Sequence, residues 1–187
     1  MRAQLFIKKR CTGILSFLFF VFLTSSYNSY SQSDIYTIAR SGSVQELETV
    51  YKKDAESITT PNDAGYSPLI LAAYNGNIPV TKRLVELGAD INGDSTYGTP
   101  LMAATVKRNK ELVDFFINQK VDLDKSDQNG TTALHYAAMF GLEDITKALL
   151  EAGANPKARD QKDFTPYDYA AKAKNETISK LFKTHKK

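Results

Sequence analysis

The chain has 187 residues, with 24 Lys and Arg against 21 Asp and Glu, and 42% hydrophobic residues. One cysteine, Cys11, excludes an internal disulfide framework, and two histidines give a zinc site nothing to assemble from. Arg2, Lys8, Lys9 and Arg10 account for the basic excess. The 156 residues from 32 onward carry 20 basic against 21 acidic groups, a net charge of −1, a balance that gives nucleic-acid binding no support.

Residues 1–31 differ in composition from the rest. A basic head precedes an apolar run over residues 14–23, and a Ser/Asn/Tyr stretch follows. No acid appears before Asp34. These are the three parts of a cleaved export signal. The small residues Ser29 and Ser31 place cleavage before Gln32, with a site near Ser26 as the alternative. An uncleaved membrane anchor is the rival reading. The run falls well short of the roughly 20 residues needed to cross a bilayer. Cys11 lies before the apolar run, so a lipid-modified N-terminal cysteine is not expected. Cleavage also removes this cysteine, leaving a domain held by burial alone.

From Asp34 the chain reads as short helical hairpins. In the first unit, residues 34–61, Ile35, Ile38 and Ala39 form one apolar stripe and Val44, Leu47 and Val50 another, with Gly42 between them. A polar connector closes it over residues 54–61. The second unit, 62–93, predicts helices over 68–75 and 78–87, split at Gly76 and stopped at Gly88. Pro79 is tolerable in a first turn. The third unit, 94–125, has Arg108 and Lys120 where its neighbours have these glycines, yet Leu101, Leu112, Val113, Phe116 and Ile117 stay in phase. A left-handed non-glycine cap costs on the order of 1 kcal/mol, so this unit reads as the most weakly capped. The fourth, 126–159, opens with the N-cap Thr132 and stops at Gly141 and Gly153. The fifth, 160–187, ends in a basic tail of Lys183, His185, Lys186 and Lys187, which complements a helix C-terminus; His185 reads as exposed.

The unit openings recur as Ser67-Pro68-Leu69, Thr99-Pro100-Leu101, Thr132-Ala133-Leu134 and Thr165-Pro166-Tyr167, with steps of 32, 33 and 33 residues. In three of them proline follows a hydroxyl N-cap, where its missing N–H costs nothing. A hairpin this small cannot bury its own apolar face, so a fixed period means a stack. The pattern resembles the ankyrin repeat, whose usual motif runs Thr-Pro-Leu-His, Ala-Ala, Gly, Leu-Leu and Gly-Ala-Asp, over about residues 34–182. The resemblance implies an all-α ankyrin-repeat solenoid of about five units with β-hairpin finger loops and atypical caps, similar to secreted or periplasmic bacterial ankyrin proteins.

Chemistry has few candidates. His135 occupies the motif's histidine position, and Asp168 the same slot one unit later. An acid–base pair on neighbouring helices suggests a hydrolase, but no nucleophile stands beside it. Structural bonding is the stronger reading, so no catalytic residue, cofactor or metal is assigned. Asp122, Asp124 and Asp127 lack the glycine of a calcium loop. The triplets beginning at Asn129 and Asn175 match the glycosylation acceptor pattern, which carries little weight in a bacterial protein.

What remains is surface. The resemblance puts the inner-helix ends and finger tips on one concave face. On it fall Tyr74 and Asn75, Val106 and Lys107, Met139 and Phe140, and Lys172, with Tyr66, Tyr97 and Phe164 at the tips. A row of water-facing apolar side chains marks a binding surface, with Tyr74, Val106, Met139 and Phe140 as central anchors and Arg40 and Lys172 at its charged ends. The expected function is an exported, monomeric protein–protein interaction module, periplasmic or secreted, that protects or inhibits a partner enzyme or toxin. A membrane-tethered scaffold and the His135–Asp168 hydrolase are the alternatives.

Overall fold

The computed structural model describes residues 34–96 and 98–185. The export signal expected at 1–31, Tyr97 and the last two lysines lie outside the described residues. Among those described are ten α-helices: α1 (Ile35–Ser41), α2 (Val44–Lys53), α3 (Pro68–Asn75), α4 (Ile78–Glu86), α5 (Pro100–Val106), α6 (Lys110–Asn118), α7 (Ala133–Met139), α8 (Glu143–Glu151), α9 (Pro166–Lys172) and α10 (Glu176–Thr184). Odd-numbered helices pack on one another as an inner row, and even-numbered helices form an outer row against them. None is long and apolar enough to cross a membrane.

Each inner helix begins on a side-chain cap. Asp34 accepts the Thr37 N–H, and Ser67, Thr99, Thr132 and Thr165 accept those of Ile70, Met102, His135 and Asp168. Replacing such a cap by alanine costs about 1 kcal/mol. Helices of seven or eight residues are unstable alone, so the stack must supply the rest. It does so through small residues. Ala39, Ala72, Ala73, Ala104, Ala137, Ala138 and Ala170 are fully buried where successive inner helices meet.

The outer row closes the core with larger side chains: Leu47, Val80 and Leu84, then Leu112, Val113 and Phe116, then Ile145 and Leu149, and finally Ile178 and Phe182. Two apolar clusters result, meeting within α3. Leu69 and Ala72 face back toward the first repeat, while Ile70 and Ala73 face forward. Burying each large aliphatic side chain contributes roughly 1.5–3 kcal/mol.

Helix ends follow the register, with two departures. Arg108 and Lys120 are left-handed at φ 58° and 57°, beside Gly76 at 71° and Gly141 at 69°. The fifth repeat carries the same burden: Lys174 has φ 55° and Asp163 φ 64°. The third repeat is therefore not alone in weak capping. The connector after α2 is not merely polar either. Residues Ala55–Ile58 form a 3-10 turn that buries Ile58.

The fingers are tight turns, with a single isolated bridge between Ser95 and Gly98 among the described residues. His185, expected to be exposed, is half-buried. Its Nδ1 lies 2.9 Å from the Leu181 carbonyl as α10 ends.

Candidate functional site

One position per inner helix decides what the inner row presents. Register aligns Leu71 in α3, Ala103 in α5, Tyr136 in α7 and Tyr169 in α9. In the last two repeats the phenols cross to their own fingers. Tyr136 donates to the Asp127 carboxylate at 2.7 Å, and Tyr169 donates to Asp160. Nine residues separate acid from tyrosine in both, so each finger is stapled to its helix. The bond and the burial raise both phenol pKa values, Tyr169 to about 12.

In the third repeat the slot holds Ala103, and a groove of about 520 Å³ opens there. Met102, Ala103 and Val106 form its floor, with Ile70 and Leu71 beside them. Tyr66 and Tyr74 wall one side, and Tyr136 and Phe140 the other. The second aromatic wall is a stacked pair, with ring centroids 6.0 Å apart. Tyr74 is 47% exposed and Phe140 39%, the two large hydrophobic residues among those described that face water. Arg40 and Asn75 complete the mouth at the helix ends.

The structure thus brings Tyr66, Tyr74, Asn75, Val106, Phe140 and Arg40 to one place. Lys107 stands at its edge, its Nζ 4.7 Å from the centre of the Tyr74 ring. Others fall outside. Met139 is half-buried and does not line the groove, and Phe164 pairs separately with Lys172, whose Nζ is 5.5 Å from its ring. Tyr97 lies outside the described residues. Met102, Ala103 and Tyr136 escaped the sequence reading, while Val106 did not. Their signal was the size sequence Leu, Ala, Tyr, Tyr along one register.

His135 and Asp168 lie on adjoining inner helices, but each closes its own cap. The fully buried imidazole accepts the Thr132 N–H at Nδ1, at 3.1 Å. Its Nε2 donates to the Phe164 carbonyl of the next finger, also at 3.1 Å. Those bonds define the neutral, Nε2-protonated ring, and burial pushes its pKa below the usual histidine value. The Asp168 carboxylate accepts the Thr165 N–H and hydroxyl, both at 2.7 Å, and these bonds lower its pKa. A general base needs a free nitrogen within reach of substrate; here Nδ1 closes the cap of its own helix and Nε2 joins the next repeat.

The three acids spanning the crossing from the third unit to the fourth are likewise engaged. Asp122 accepts the Asp124 N–H, Asp124 the Asn155 N–H, and Asp127 the Asn129 and Thr131 N–H groups. Among the described residues no cluster of His, Cys, Asp and Glu has the makings of a metal site.

A family model described as three copies of the ankyrin repeat matches residues 35–127 and again residues 106–187. The chain belongs to the ankyrin-repeat family. Such repeats generally bind other proteins and are generally not enzymes. An ankyrin repeat and SAM domain-containing protein 6 from Rattus norvegicus is 38% identical over 102 residues, 54% of this chain and 12% of that protein. A mitochondrial disaggregase from Bos taurus is 30% identical over 151 residues, 78% of this chain and 22% of the other. An E3 ubiquitin-protein ligase KEG from Arabidopsis thaliana is 31% identical over 144 residues, 70% of this chain and 9% of the other. The chain spans less than a quarter of each of these relatives.

Proposed function

We propose that the protein is an exported interaction module that binds a partner protein in the groove over Ala103. There it protects or inhibits a periplasmic or secreted enzyme or toxin, with no catalysis of its own. The observation that carries the docking surface is the exposure of Tyr74 and Phe140 on facing walls of an apolar groove. Aromatic anchors around a desolvated centre are what hot spots are built from. The volume also falls within the roughly 300–1,000 Å³ typical of clefts that enclose a ligand. Export rests on the basic head and short apolar run at the N-terminus.

The test compares capture from the source cells by wild type and by a Tyr74→Ala, Phe140→Asp double variant. Both should unfold near the same denaturant midpoint, because neither side chain is core. A partner held by wild type should be lost by the variant, since truncating a central anchor costs about 2 kcal/mol or more. Equal capture by both would move the site to the outer helices or the fingers.

A further inference from the structure

The ends of the inner helices are charged with one sign, and Arg40 and Lys107 bring that charge to the groove. At the ends of the five inner helices, positions 40–42, 74–76, 106–108, 139–141 and 172–174, stand Arg40, Lys107, Arg108, Lys172 and Lys174, with no Asp or Glu. All five cations are exposed. None takes part in an ion pair among the described residues; on the outer helices and loops Lys82, Arg83, Lys110, Lys125, Lys147 and Arg159 do, while Lys52, Lys120, Lys157, Lys162, Lys180 and Lys183 do not. The Asp34 pKa is lowered chiefly by its bonds from Thr37, and Arg40 adds to this only from beyond ion-pair distance. A helix C-terminus attracts cations, which accounts for some of this placement. It does not account for the absence of any acid at all five ends in a region carrying 20 bases against 21 acids. The charge is segregated.

Building on the docking surface proposed above, we infer that the groove's occupant is an acidic segment of the partner protein. The segment inserts one large apolar side chain over Ala103, between the Tyr74 and Phe140 walls. Flanking Asp or Glu side chains meet Arg40 on one side and Lys107 and Arg108 on the other. The aliphatic floor of Ile70, Met102 and Val106 suits a side chain better than a nucleotide. The rim cations speed encounter and fix register, which is the usual contribution of charge at an interface rim.

The experiment selects binders from a random 12-residue peptide display library on the full chain, then measures their affinity for variants. Ala103→Tyr fills the floor, Arg40→Glu with Lys107→Glu reverses the rim, and Lys52→Glu on α2 is the control. Denaturation midpoints for each variant establish that it is folded. Peptides that lose at least tenfold on Ala103→Tyr should share one large apolar residue flanked by Asp or Glu. They should also lose at least tenfold on rim reversal, weaken as salt is raised, and ignore Lys52→Glu. Groove-dependent peptides without acidic flanks would overturn this inference and leave the docking surface standing. A failure to find any groove-dependent peptide would overturn both. Binding of poly(U) RNA, or self-association, abolished by Ala103→Tyr would overturn the inference in favour of those occupants.

Discussion

The second and third repeats and the fourth and fifth share one frame and put it to opposite uses. In the later pair, Tyr136 and Tyr169 staple each inner helix to its finger through Asp127 and Asp160. His135 ties α7 to the fifth finger, and the Gln161 N–H donates to the Asn129 carbonyl between finger tips. In the earlier pair the staple positions are Leu71 and Ala103, and space replaces the bond. The substitution is small, but its effect is not local. Removing a phenol from one slot frees a groove whose far wall is the next repeat's phenol, held rigid by its own staple. The clamped half thus positions one side of the open half.

The strongest way to break this contrast is to remove the imidazole. His135→Ala leaves the Thr132 N–H and the Phe164 carbonyl unpaired in a buried site and opens a cavity, at a cost of about 3 kcal/mol in urea unfolding. The same residue gives a pH signature. The folded ring stays neutral below its ordinary value of 6.5, while the unfolded chain takes up a proton there. Its contribution is therefore complete above about pH 6.5 and declines as pH falls below it, by up to about 1.4 kcal/mol per unit. The slope should be shallower in His135→Gln between pH 7 and 5. Asp34, Glu46 and Asp168, whose pKa values are lowered by cap bonds, act in a separate window below about pH 4.5. An unchanged slope in His135→Gln would show that the buried ring does not control this range.

Deleting a staple tests the clamped half more gently. Tyr136→Phe removes a hydrogen bond to a carboxylate and should cost about 1.5 kcal/mol in the same assay, whereas Tyr51→Phe on α2 should cost little. Equal losses would mean the staple adds nothing beyond the ring's packing. The smallest effect belongs to the caps. Lys120→Gly relieves a left-handed backbone at φ 57° and should stabilise by up to about 1 kcal/mol. Lys174→Gly offers the parallel case at φ 55° in the fifth repeat. A loss of stability in both would contradict the capping account.

The period, the hydroxyl caps and the glycine stops placed α3 at 68–75 and α4 within one residue of its observed end. Register alone also identified Arg108 and Lys120 as left-handed. The same register, 33 residues after Gly141 and Gly130, marks Lys174 and Asp163 too, which the reading of the fifth unit left out. Ile58 was hidden for a different reason: a lone apolar residue in a polar stretch has no periodicity to reveal it. The groove was half legible. Exposed helix ends marked Tyr74, Val106 and Phe140, because a water-facing aromatic stands out against any register. Met102 and Ala103 did not, since a cavity is made by what is absent. Met139 was read as an anchor, but Tyr136, pinned by Asp127 and stacked on Phe140, supplies that wall.

Ala103→Tyr tests the central claim most directly. Asp94 stands nine residues before Ala103, as Asp127 stands before Tyr136, so the variant has an acceptor available and a groove to fill. Measured side by side with wild type, it should unfold at an equal or higher urea midpoint while losing at least tenfold in affinity for the captured partner. A stable variant that holds its partner as tightly as wild type would show that the groove over Ala103 is not where this protein binds.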